Sequence, residues 1–97
     1  MLADSQFTFE AGAKTIWHLD TGFGFRVADL TKDPAYQPPK GRLTRYGRCG
    51  NQYWAFEALS DDTTPDVAAS AARWYGRYCE LGAVEVLEGD ALPWKNS

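Results

Sequence analysis

His18, Cys49 and Cys79 carry the least ordinary chemistry in this chain: one imidazole that exchanges a proton near neutral pH and two thiols that can become nucleophiles. With Asp20 or Asp29 to orient the imidazole they make up the inventory of a cysteine hydrolase, in which a base withdraws the thiol proton and the thiolate attacks. The spacing does not assemble them. No nucleophile elbow, phosphate-cradling glycine loop or pair of metal carboxylates accompanies them, and Gly22-Phe-Gly24 lacks the third glycine and the helix of a dinucleotide site. Cys49 and Cys79 have no Cys-x-x-Cys spacing, and with His18 they fall one ligand short of tetrahedral zinc. A chain of 97 residues also builds a modest core, with little room for a sheltered pocket. The expectation is a protein that is not an enzyme, with no metal and no other cofactor. Both cysteines are expected as buried thiols, a disulfide between them being the alternative in an oxidising compartment.

Nucleic-acid binding is the next chemistry the residues suggest. Tyr-Gly-Arg occurs twice, in RYGRCGNQYW (45–54) and in RWYGRYCELG (73–82). Around the first copy, Arg42, Arg45 and Arg48 offer phosphate contacts, and Tyr46, Tyr53 and Trp54 offer stacking faces. The charge balance opposes this. Net charge is −3 with a pI near 5.0, and residues 34–56 hold Lys40, Arg42, Arg45 and Arg48 with no acid, so the remainder carries −3 − 4 = −7. Phosphate attraction at the basic hairpin would be opposed by that remainder. A bipolar surface is the more informative pattern. We therefore expect Asp61, Asp62, Glu80, Glu85 and Glu88 to meet a Lys/Arg-lined groove on a protein complex that handles nucleic acid. Arg42, Arg45 and Arg48 would fix orientation, and exposed aromatics such as Tyr36, Tyr75 or Trp94 would anchor. A solvated acidic surface accounts for the same pattern without a partner.

The elements that must position these groups read as α+β. QFTFE (6–10) alternates as a half-buried strand; TIWHL (15–19) and FGFRVADL (23–30) flank Asp-Thr-Gly as a hairpin. RLTRYGRC and QYWAFEAL form a second hairpin through Gly50-Asn51. Thr64 as cap, Pro65 at the first helical position and Asp66 in the first turn predict one main helix over about 65–81, stopped by Gly82. Its apolar stripe is Val67, Ala71, Trp74, Tyr78 and Leu81. AVEVLE closes the pattern. The expectation is one domain, 1–97: an antiparallel sheet of four to five strands packed by that helix, with a Pro-rich loop at 32–41 and a C-terminal tail at 91–97. The two Tyr-Gly-Arg copies then lie on a strand and a helix, so they cannot present the same surface.

A chain of this length with strands, one alanine-rich helix (DVAASAARWYGRYCELG) and a closing strand (AVEVLEG) resembles the small anti-CRISPR and anti-restriction proteins of phages. That resemblance is one of layout, and no functional positions transfer from it. It implies a stoichiometric inhibitor of nucleic-acid machinery; the alternatives are an immunity-type or regulatory protein for one toxin or enzyme, or a direct nucleic-acid binder through the 40–54 hairpin. MLADSQFTFE lacks the basic and apolar regions of a signal peptide, and no apolar run spans a bilayer, so a cytoplasmic location and no membrane partner are expected.

Overall fold

Phe7 and Phe9 alternate with Thr8 and Glu10, the period of two that a strand with one buried face requires; this is β1 (Phe7–Glu10). It pairs antiparallel with β2 (Thr15–His18), which turns through Gly22 into β3 (Gly24–Asp29). Gly22 takes φ 76°, which an L side chain resists. The second hairpin joins β4 (Thr44–Cys49) to β5 (Gln52–Ala58) at Gly50, φ 61°. Helix α1 (Pro65–Tyr78) starts as its sequence dictates: the Thr64 hydroxyl accepts the Val67 N–H, and Asp66 sits in the first turn. β6 (Glu85–Leu87) follows. The computed structural model describes residues 6–33, 35–37, 41–79 and 84–87; Lys40, Glu80, Leu81, Gly82, Glu88 and the 91–97 tail with Trp94 lie outside them. Among the described residues no helix is long and apolar enough to cross a membrane.

Among the described residues one antiparallel sheet takes in six strands, in the order β1-β2-β3-β5-β4-β6, where four to five were expected. The short terminal segments account for the difference, because β1 joins one edge and β6 pairs with β4 at the other. β5 sits between β3 and β4. Five of its seven residues, QYWAFEA, are buried, and it has a neighbour on each side.

Register divides the side chains into two faces. One face carries Phe7, Ile16, Phe25, Val27, Trp54, Phe56 and Ala58, which pack against Val67, Ala68, Ala71 and Ala72 of α1. Full burial of each large apolar side chain contributes about 1.5–3 kcal/mol, so this layer dominates stability. The helix is turned relative to the expected stripe by less than one residue step of about 100°. Ala68 and Ala72 face the sheet with no exposed surface, whereas Trp74 and Tyr78 lie on the flank, where Trp74 meets Phe7 and Tyr78 meets Phe9. A Cβ at Gly47 of β4 would stand 3.7 Å from Ala72 Cβ, 3.3 Å from the Phe56 ring and 3.0 Å from Val84. The contact to Ala72 is an ordinary one, and Val84 and Phe56 are the neighbours that a side chain at position 47 would crowd. The first Tyr-Gly-Arg therefore supplies a close-approach glycine, and the second supplies Gly76, buried on α1. The shared string has two structural purposes.

The other face is covered differently. Leu30, Tyr46 and Ala55 form a second buried cluster, with Tyr36 and Tyr53 packed on it. Part of the Pro-rich loop thus folds back onto the sheet. Leu30 N–H donates to the Tyr53 carbonyl at 2.8 Å, and Asp29 accepts from Lys32 and Asp33 to turn the chain.

Candidate functional site

The two charged poles expected from the sequence meet each other. Arg42 lies 3.3 Å from Asp61, and Arg48 pairs with Glu85, its cross-strand partner between β4 and β6. Tyr53 also reaches Arg48 and, with Glu85, holds its guanidinium still more firmly protonated. Arg45 faces the helix side opposite Phe56 and is half-buried. Asp62 is exposed. Of the acids in the expected pole, Asp61 and Glu85 are thus matched within the chain, and Glu80 and Glu88 lie outside the described residues.

The stacking faces expected on the 40–54 hairpin are not on one surface. Trp54 belongs to the core beneath α1, Tyr46 is buried on the opposite face, and Tyr53 is half-buried beside it. Tyr75 is likewise a packing residue: its ring meets Phe9, Trp54 and Phe56 edge-on at 5.6, 5.8 and 5.7 Å. Burial, and then the nearby Cys79, push its hydroxyl well above the usual range. Tyr36 is half-buried rather than exposed. Its hydroxyl donates to the buried Glu57 carboxylate; burial and that bond push its pKa up to about 12. Burial raises Tyr46 as well.

His18 is buried, its Nδ1 lies 2.7 Å from the Thr21 hydroxyl, and its ring packs 4.7 Å from Phe7. Cys49 is half-buried and Cys79 is exposed, and no disulfide joins them. Neither thiol is fully buried, which corrects the expectation of two buried thiols, and Cys79 is the C-cap of α1.

What the sequence reading did not single out is the remaining part of the second face. Trp17 projects there, opposite Ile16 and His18, and the Leu19 N–H to Gln6 carbonyl bond extends the β1–β2 ladder so that Leu19 falls on the same side. Leu59, whose N–H bonds Gly24, completes the group. Trp17 lies over Gly24: a Cβ there would come within 2.6 Å of the indole and 3.0 Å of Leu59. These three are exposed by 37%, 57% and 40%, and of the described large hydrophobics only Tyr78 joins them. The indole N–H donates to Glu10 of β1 at 3.2 Å. A signal was present in TIWHL, which is apolar on both faces where a half-buried strand needs only one.

Compared with known protein families, curated proteins and solved structures, the chain matches none of them.

Proposed function

We propose that this protein is a non-enzymatic binding module whose contact surface is the Trp17, Leu19 and Leu59 patch, and whose partner is a protein offering an apolar side chain. The observation that carries this reading is a large aromatic packed over Gly24 with two exposed leucines, on a face whose other half the chain covers itself. Aromatic anchors surrounded by polar residues carry most of the energy in protein interfaces. Aliphatic neighbours favour a protein over a nucleic acid, because bases stack on aromatic and guanidinium planes rather than on leucine. Glu10 and Asp20 beside the patch would also repel phosphate.

The resemblance to phage anti-CRISPR proteins would make that partner a nucleic-acid-handling complex. Acidic contacts to such a complex would draw on Asp62 first, since Asp61 and Glu85 are engaged by Arg42 and Arg48. The apolar patch is therefore the anchor and the charges are its surroundings. A photo-crosslinking residue at Leu19 should trap a partner that the same residue at exposed Arg73, on α1 across the sheet, does not. Trp17→Ser with Leu59→Ser should release that partner while leaving cooperative melting intact. Equal capture by the patch variant would refute the reading.

A further inference from the structure

The turn between β1 and β2 places glycine in the wrong position. Lys14 N–H donates to the Ala11 carbonyl at 3.3 Å, and Lys14 itself takes φ 52°. Four residues, Ala11 to Lys14, connect the paired Glu10 and Thr15, and the last of them takes the left-handed place that glycine ordinarily fills. Here Gly12 sits two residues earlier, and the strained place holds a lysine. The strain is held from both sides, because the Lys14 carbonyl also accepts the Val27 N–H at 2.8 Å. Backbone strain of this kind persists where the surroundings over-determine it and tends to accompany function.

Lys14 lines two cavities. One, of about 280 Å³, is walled by Phe9, Val27 and Tyr75 together with Lys14, Lys32 and Asp29. The second, of about 340 Å³, lies across the same rim and shares Lys14, Asp29 and Lys32. Lys32 is set by the turn after β3, where its N–H donates to the Asp29 carbonyl at 3.2 Å. The Asp29 carboxylate is itself engaged by the Thr31 N–H at 3.0 Å.

We propose that the smaller cavity is a binding site for a small organic monoanion, an apolar ring carrying one carboxylate. The ring would lie against Phe9, Val27 and Tyr75, and the carboxylate would meet the Lys14 and Lys32 ammonium groups. Asp29 at the rim leaves a net charge of +1 among Lys14, Lys32 and Asp29, which suits one negative charge and disfavours polyphosphates. This site is separate from the Trp17 patch and stands independently of the protein-binding proposal.

The test is a titration of the ¹⁵N-labelled protein, followed by amide shifts, with benzoate, acetate and benzyl alcohol as probes. Benzoate should give saturable shifts confined to residues 9–14, 27–33 and 75, with Kd about 1 mM, the scale expected for so few atoms. Acetate and benzyl alcohol, each carrying half of the recognition, should bind more weakly. Lys14→Gly should weaken benzoate at least about five-fold, as loss of a charge-assisted bond implies, and should melt no lower than the parent because glycine relieves the φ strain. Lys32→Met provides a second variant with no change in backbone preference. Non-saturating or dispersed shifts, equal binding of acetate, undiminished binding by both variants, or a lower melting temperature for Lys14→Gly would each overturn the proposal.

Discussion

Gly47→Ala tests the packing around the one glycine of β4. The added Cβ would meet Val84 Cγ1 at 3.0 Å and the Phe56 ring at 3.3 Å, both tighter than ordinary van der Waals contact, and Ala72 Cβ at an ordinary 3.7 Å. Phe56 is fully buried and has nowhere to move. Overpacking of this kind costs about 1–3 kcal/mol. Removing a glycine from a strand returns about 0.5–1 kcal/mol by restricting the unfolded chain. The net expectation is a loss of about 0.5–2 kcal/mol, or a fall in Tm of several degrees for a domain this size. Urea unfolding at constant m-value measures it directly. Since the shortest contact is to Val84, Val84→Ala in the same chain should recover part of the loss, giving a favourable coupling in a double-mutant cycle. If Gly47→Ala is neutral or stabilising, or if the cycle shows no coupling, the glycine is not there to make room for Val84 and Phe56 and the packing argument fails.

Alkaline unfolding supplies a second test: the folded pKa of Tyr36 lies above its unfolded value near 10, so the folded state binds more protons between the two and stability must fall as pH rises from about 10 to 12. Tyr36→Phe, which leaves the buried Glu57 carboxylate without that donor, should lower stability at pH 7 by about 1–3 kcal/mol and flatten part of the alkaline loss. Thr64→Ala removes the cap that accepts the Val67 N–H and should cost about 1 kcal/mol in chemical denaturation. Trp74→Ala should cost less than the roughly 3–5 kcal/mol of a fully buried tryptophan, and Ala72→Leu should be the more damaging change; the reverse order in urea midpoints would put the helix back on its expected stripe.

How much of this was legible in the chain can be seen element by element. Local rules found the strands and the helix start, because alternation in QFTFE, positive-φ glycine at Gly22 and Gly50, and Thr64-Pro65-Asp66 act through nearest neighbours. Such rules also separated the two Tyr-Gly-Arg copies onto a strand and a helix. The site was less legible. Opposite charges in different parts of the sequence looked like two poles, yet Arg42 and Asp61, and Arg48 and Glu85, are neighbours once the second hairpin and β6 are folded. Tyr36 looked like an exposed anchor until the loop laid it over Glu57.

Pattern and turn chemistry in the sequence alone determined an α+β chain with these strands and one helix at this place, since each depends on residues a few positions apart. Only the tertiary structure decided that β5 lies between β3 and β4, which way α1 turns on the sheet, and which half of the second face stays open. Those outcomes depend on contacts between distant residues, such as Gly47 with Ala72 and Trp17 with Gly24 and Leu59, and no local preference encodes which distant residue will be the neighbour.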